Sequence, residues 1–425
     1  MVTTLMDLFK QAFDRGATMK WARELGAVQR ARCIHPLDFC LAVVGCAIGD
    51  EERSIATARR LFQRLTGFMP EESSFYERFT GGMLALMQRM FQQQLDASSS
   101  VQRAAIAAAL GGTGVIDMLA VDSTQGLLPA SAAAVLPSTD DGHGGFKLTA
   151  ILSVLFQRVH QVAFTDARTH DRLALRLQRW LHGMLFLFDR GYSDHGLFAT
   201  IEDRGGFFLT RFKKSSTPII TAILSGLGQA QLGRPLTEDL PFRGVVDLRA
   251  RFRLRRGGSR VFRVVRITVD GPNRQGRRER VDIWLVTNLA AETFDAEAIA
   301  TLYRMRWEVE ILFHTLKSVG RLDQLRSANI EVIRAFVYAT LIGMLLAHEI
   351  CAQMRREKPE REPSPHRVAM LVLGALPGMV ASLGTRRYRE EVAAFVTALW
   401  REGVNPNPGR PYAAHRYARE LRRAA

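Results

Sequence analysis

Along the chain the spacing of apolar positions changes, and the changes divide it into regions. From residue 1 to about 105 apolar residues recur at helical spacing, broken by polar stretches such as Met69-Pro70-Glu71-Glu72-Ser73-Ser74, so an all-helical N-terminal region is expected. Pro36-Leu37-Asp38-Phe39 opens one helix, with proline in the first turn, where its missing N–H costs nothing. Leu61–Leu65, a break carrying Gly67 and Pro70, and Ser74–Phe79 fit a helix-turn-helix and fit an ordinary helical hairpin as well. From Val115 the texture turns to short apolar runs at 115–121, 146–156, 159–164, 185–188 and 206–212. These predict five strands, with helices near 171–182 and 193–203 between the later ones, hence a mixed sheet flanked by helices. Residues 130–145, rich in Ala, Ser, Asp and Gly, read as a mobile loop joining the first two strands. A second β-rich region occupies 213 to about 290. Helical periodicity returns over Thr293–Ser318, with Thr293 as N-cap, and 331–425 reads as helical with a basic tail.

A chain of 425 residues, 47% hydrophobic and 24% charged, has material for two to four structural units and excludes a wholly disordered, collagenous or disulfide-scaffold protein. Charge changes the picture more. Lys and Arg number 58 against 42 Asp and Glu, a net +16, so the surface favours polyanions such as nucleic acid or an anionic membrane. The best apolar run, Phe336–Ala347, is about half of the roughly 20 residues a spanning helix needs, so it reads as a buried helix. Asp7, Lys10, Asp14 and Arg15 interrupt the stretch where a signal peptide is apolar, and a cytoplasmic location is expected. Cys33, Cys40, Cys46 and Cys351 have no C-x2-C spacing and read as core thiols.

The positive charge is concentrated. Residues 240–282 hold thirteen Arg against four acidic residues, nine of the sixteen net positive charges. Within them Leu248-Arg249-Ala250-Arg251-Phe252-Arg253-Leu254-Arg255 alternates without a break, so a strand places four guanidinium groups on one face and four apolar side chains on the other. Arg256-Gly257-Gly258-Ser259 supplies a turn and 260–269 a return strand. With only seven lysines among the 58 basic residues, an Arg-rich solvated face is one account. Nucleic-acid contact is the favoured one, because like charges this dense call for a polyanion and are confined to one face of one region.

Acidic residues mark the other half. Asp122, in Ala120-Val121-Asp122-Ser123-Thr124, and Asp189, in Asp189-Arg190-Gly191-Tyr192, each follow an apolar run and are placed at the C-terminal end of a buried strand. Either alone reads as a cap or turn aspartate; together in a cleft they suit Mg²⁺, which takes carboxylate oxygens and leaves positions for phosphate and water. On the helix that follows, Tyr303, Arg306, Glu310 and Lys317 are spaced i, i+3, i+7 and i+14, an arc of about 60°. Leu302, Met305, Val309, Leu312, Phe313 and Leu316 take the adjoining arc. A solvated charged face accounts for the Arg, Glu and Lys; it does not account for Tyr303, or for Trp307 beside the stripe.

These motifs resemble the DDE transposases of the insertion sequence 4 family, whose signature has this Y-R-E-K spacing. The resemblance covers roughly residues 115–320 and implies an α/β fold: an RNase H-like mixed-sheet core (106–212 and 291–330) interrupted by a β-rich insertion (213–290). Helical regions would flank it, a DNA-binding one at 1–105 and another at 331–425. By the same resemblance Asp122, Asp189 and Glu310 hold two Mg²⁺ ions, with Mn²⁺ able to substitute, and Arg306, Lys317 and Tyr303 contact DNA. Trp307 and Trp284 resemble aromatic platforms for a flipped base, although Trp284, in an apolar strand, fits a core residue better. Arg249, Arg251, Arg253 and Arg255 join the expected DNA surface. The implied reaction is cleavage at the element's ends, with a hairpin as one route, and joining to target DNA. The implied partners are double-stranded DNA, as terminal inverted repeats and target, and a second copy of the chain. An RNase H-like nuclease or resolvase and a catalytically inactive DNA-binding relative are the rival readings. A P-loop ATPase is disfavoured, since no G-x4-G-K-[ST] string occurs.

Overall fold

The computed structural model describes residues 1–29, 33–48, 52–97, 107–108, 110–140, 142–156, 158–174, 181–237, 239–272, 278–306, 325, 327–382 and 385–406. The N-terminal region is helical: α1 (Val2–Ala12), α2 (Arg15–Glu24), α3 (Pro36–Ile48), α4 (Ile55–Thr66), α5 (Glu72–Tyr76) and α6 (Gly81–Ala97). Local chemistry sets the boundaries. Pro36 opens α3, and Ser54 Oγ caps α4 by accepting from the Thr57 N–H at 3.1 Å. Gly67, at φ +74°, ends α4 in a left-handed turn that few other residues adopt. The second half of the candidate helix-turn-helix is the five-residue α5, whose Phe75 is fully buried against Phe39 (ring centroids 4.9 Å) and Phe62 (5.8 Å). Phe75 anchors α5 to the core, while Glu72, Ser73, Ser74 and Tyr76 stay exposed.

The two helical ends of the chain form one bundle. α10 (Ile330–Glu357), capped by Asn329, packs on α3 and α6, and α11 (Pro365–Ala381) and α12 (Arg387–Glu402) complete the bundle. Phe79 stacks on Phe336, Phe9 meets Phe395 and Phe91 meets Tyr338, with centroids 6.3, 6.3 and 5.8 Å apart. The Tyr388 hydroxyl donates to the Met6 carbonyl at 3.0 Å. The run Phe336–Ala347 is thus the middle of a 28-residue helix, long and apolar enough to cross a membrane. Judging by the apolar run alone understated its length; most of its surface is covered by protein. Cys40 and Cys351 are buried core thiols, both pushed up to about 12 by burial, whereas Cys33 is exposed, against the expectation for it.

Among the described residues all nine strands join one sheet. β1 (Asp117–Leu128), β2 (Gly144–Ser153), β3 (Arg158–Asp166), β4 (Met184–Phe188), β5 (Phe207–Arg211), β6 (Ile219–Ser225), β7 (Val246–Arg253), β8 (Ser259–Pro272) and β9 (Arg278–Thr287) lie in the order β3-β2-β1-β4-β5-β9-β8-β7-β6. β1, β4 and β5 are parallel; the other neighbours are antiparallel. The first five strands match the five apolar runs. The second β-rich region is an extension of the same sheet, joined where Arg211 of β5 pairs with Leu285 of β9.

β1 departs from expectation by continuing to Leu128. Beyond Val121 it pairs only with β2, so alternate burial suffices and polar Ser123 and Gln125 are allowed. The 130–145 connection is also more structured than a mobile loop: it holds a 3₁₀ turn at Ala130–Ala132, buries Ala132 and Leu136, and bridges Pro137 to Gly144.

Each face of the sheet has its own core. Met118, Ala120, Leu185, Leu187, Leu209, Val265 and Leu285 pack with the helical bundle and α9 (Ala296–Arg304). Leu119, Val121, Phe186, Phe188, Phe208, Leu248, Phe252 and Val264 form the opposite core, under α8 (His195–Asp203). Side-chain alternation along each strand then assigns every polar residue to a face.

Candidate active site

Asp122 and Asp189 fall on the bundle face. Asp122 follows Met118 and Ala120 at every second position, and Asp189 follows Leu185 and Leu187 in the same way. The last parallel pair between β1 and β4 is Val121 with Phe188, so the two aspartates take the next position on neighbouring strands, which lie roughly 4.8 Å apart in any sheet. Asp189 stands at a true strand end. Asp122 does not, because β1 runs on; it marks the point where β1 and β4 part. Both side chains are half-buried.

Helix α9 brings the cationic and aromatic partners. Its N-cap is Asp295, which accepts from the Ala298 N–H at 2.7 Å; Thr293 lies two residues outside. After Arg304 the backbone tightens, with Met305 and Arg306 bonded to carbonyls three residues back. Arg306 is buried and its Nη1 lies 3.5 Å from Asp122 Oδ2. Its guanidinium sits 5.8 Å from the Tyr303 ring centre, a cation–π arrangement. Burial pushes the Tyr303 hydroxyl up to about 12; Arg306 and Arg211 oppose that shift and the Asp189 charge adds to it. The hydroxyl, buried beside the Arg306 guanidinium, is therefore protonated at neutral pH and able to donate. Arg306 thus pairs with Asp122 and lies against Tyr303, whose hydroxyl is within reach of the Asp189 charge. Glu310, Lys317 and Trp307 lie outside the described residues.

Three contributors were not foreseen. Arg211, on β5 in phase with Leu209, shares the face and acts on Tyr303. Lys147, buried, and Asp171, half-buried, form an ion pair at 2.8 Å beside Ser123, on the opposite face. A signal for Lys147 was available: it is the one cation in a strand whose every residue is buried. Tyr192, without a derived role in the sequence, is buried there too, its hydroxyl shifted up by burial and by the charges of Asp171 and Asp122.

The arginine ladder alternates as its pattern requires over β7, where Arg249, Arg251 and Arg253 are exposed and Leu248, Ala250 and Phe252 are buried in the opposite core. The ladder thus shares the sheet face of Asp122 and Asp189. Arg255 is exposed in the turn after the strand, because Leu254 and Gly258 already close the hairpin. Directly across from Arg249, Arg263 behaves differently: it is buried, makes a two-pronged contact with Asp247 at 2.9 and 2.6 Å, and donates to the Phe294 carbonyl at 2.7 Å. It ties the ladder strands to the segment that starts α9. Trp284 lies on the other face, half-buried against Phe242 (4.8 Å) and Phe212 (6.1 Å), which is the core setting its strand context favoured; the structure does not bring it to the aspartates.

A family model described as transposase DDE domain matches residues 115–346, more than half of the chain. The chain belongs to that family. Among curated members it is 37% identical over 68 residues to the putative transposase InsL for insertion sequence element IS186A of Escherichia coli (strain K12), covering 16% of this chain and 18% of that one. It is 27% identical over 193 residues to the putative transposase y4zB of Sinorhizobium fredii (strain NBRC 101917 / NGR234), 45% of this chain and 49% of the relative. A third, the transposase for insertion sequence element IS231F of Bacillus thuringiensis subsp. israelensis, is 28% identical over 118 residues, 27% and 24% of the two chains. This DDE-domain chain therefore spans a fifth to a half of the length of these relatives.

For a metal the test is the donor set. Among the described residues no group of three or more His, Cys, Asp and Glu is placed to hold an ion. Asp122 and Asp189 supply hard, acceptor-only oxygens at neighbouring register positions, which fits a divalent cation such as Mg²⁺.

Proposed function

We propose that this chain is a DNA transposase that binds the ends of an insertion sequence, cleaves them by metal-dependent phosphodiester chemistry and joins them to target DNA. The observation that carries the reading is the Arg306–Asp122 ion pair, with Tyr303 against the guanidinium and Asp189 at the neighbouring strand position, on the sheet face that also bears the ladder. In this reading β1–β5 and the α9 segment form the RNase H-like core, within 106–212 and 291–330. β6–β9 are the insertion, within 213–290, and the bundle unites 1–105 with 331–425.

Asp122, Asp189 and Glu310 would hold two Mg²⁺ ions, with Mn²⁺ as a substitute, which when bound activate the attacking oxygen and stabilise the leaving one. The remaining roles belong to the chain. Arg306 neutralises Asp122 in the free protein and turns to a scissile phosphate when DNA arrives. Tyr303 donates its hydroxyl to the same phosphate. Lys317 and Trp307 extend that contact, Trp307 as the platform for a base displaced in a hairpin. Arg249, Arg251 and Arg253, with Arg255 at the turn, track the backbone beyond the cut. Two terminal inverted repeats must be paired, so two copies act on double-stranded DNA, in the cytoplasm at the nucleoid.

The test is cleavage of a labelled duplex bearing the element's own end, with Mg²⁺ or Mn²⁺, by the intact chain and by Glu310→Ala. Cutting by the intact chain alone, with binding retained in the variant, supports the reading. Binding without cutting by both would make the chain an inactive, DNA-binding relative.

A further inference from the structure

We propose that Lys147 and Asp171 are positioning residues that hold the Asp122 carboxylate in place from the opposite face of the sheet, through Ser123. The inference rests on the reading of Asp122 and Asp189 as metal ligands.

The chain of contacts is continuous. Lys147 Nζ is buried, donating to the Thr169 carbonyl at 2.6 Å and lying 2.8 Å from Asp171 Oδ1. Ser123 Oγ donates to the same Oδ1 at 2.9 Å. The Ser123 backbone N–H donates to Asp122 Oδ1 at 2.8 Å. One oxygen of Asp122 is thereby fixed to the strand, while the other, Oδ2, faces Arg306. Asp171 also reaches the second aspartate's segment: a Cβ placed on Gly191, in the turn that follows Asp189, would lie 3.8 Å from Asp171 Oδ2. A single carboxylate, opening α7 (Asp171–Ala174), therefore packs against both segments that carry the proposed ligands.

An ammonium buried in a strand is costly and adds little stability even when paired, so the pair's effect is better sought in geometry. Residues that orient a metal's ligands by hydrogen bonding have such effects: removing them weakens metal affinity or activity about 10–100-fold while the ligands stay in place. Here the oriented element is the β1 backbone at Ser123, which sits opposite Thr149 of β2 and cannot rotate without breaking that pairing.

The experiment titrates the full chain with Mn²⁺, reading free ion by electron paramagnetic resonance. The proteins are the wild type, Ser123→Ala, Ser123→Thr, the double variant Lys147→Met/Asp171→Leu and Asp122→Asn. The double variant removes both charges together, so no lone buried charge is left to unfold the protein. The expected result is a half-saturating concentration raised roughly 10–100-fold in the double variant and up to about tenfold in Ser123→Ala. Ser123→Thr, which keeps the hydroxyl, restores it, and cutting at saturating Mn²⁺ and DNA affinity stay near wild type. Titrations of Ser123→Ala and the double variant that superimpose on wild type, while Asp122→Asn loses binding, overturn the positioning role and leave the metal reading standing. If Asp122→Asn also titrates like wild type, the metal reading itself fails, and this proposal with it.

Discussion

The two halves of the sheet treat charge in opposite ways. In β1–β5 the strands at the centre are parallel and covered on both faces, so a polar side chain there is expensive. Asp122 and Lys147 are exceptions, each accounted for by a charged partner, Arg306 and Asp171; Asp189 stands half-buried just past the end of its strand. In β6–β9 the strands are antiparallel, and β7 keeps one face wet, so its arginines stand in water with no partner needed. The lesson is about weight. One charge in the first half says much about chemistry; in the second half the ladder matters as a field, and its members are interchangeable. Arg263 is the exception there, buried on Asp247 and linking the halves at the start of α9.

If that contrast holds, Asp122→Asn or Asp189→Asn should lower cutting of end DNA by about 10³-fold or more, since several kcal/mol of charge stabilisation depend on the ion they would hold. Binding in a gel-shift assay should survive. Next in size is Arg263→Met, which strands the buried Asp247 and should cost about 3–5 kcal/mol in denaturant unfolding. Adding Asp247→Leu should return most of that loss; no recovery would mean the pair is not the determinant. The triple variant Arg249→Ala/Arg251→Ala/Arg253→Ala should bind DNA more weakly and lower the slope of log affinity against log salt by about 3, near 0.9 per phosphate contact, with cutting at saturation unchanged. A single ladder substitution with a larger effect than the triple average would break the idea that its members are equivalent. The smallest effect is expected of Tyr303→Phe, which removes one hydroxyl and keeps the ring against Arg306: little change in stability, and a reduction in cutting worth about 1 kcal/mol, or roughly fivefold.

How much could be read in advance follows from the same physics. Strands β1, β4 and β5 were legible because buried parallel strands must be continuous apolar runs, β2 because every residue of it is buried, and the ladder because a one-sided strand must alternate. The extension of β1 to Leu128 was hidden, since an antiparallel half-buried stretch tolerates Ser123 and Gln125. The union of the N- and C-terminal helices in one bundle left no local signal; Phe79 and Phe336 are far apart in sequence and nothing around either names its partner. At the candidate site, spacing grouped Tyr303 with Arg306, and the two do adjoin, since helical separation is a local property. The Asp171–Lys147 pair was missed because it depends on which strand lies beside which helix start. Trp284 shows the reverse: its apolar strand context indicated core, and the aromatic cluster around it agrees.

The central claim is that three segments far apart in sequence converge on one divalent ion site. The most direct measurement replaces Mg²⁺ with Fe²⁺ in the full chain, generates hydroxyl radicals at the bound ion with ascorbate and peroxide, and maps the backbone breaks by mass spectrometry. The account predicts breaks clustered near residues 122, 189 and 310, all abolished by excess Mg²⁺ and by Asp122→Asn. Breaks near only one of these positions, or a pattern unchanged in Asp122→Asn, would contradict it.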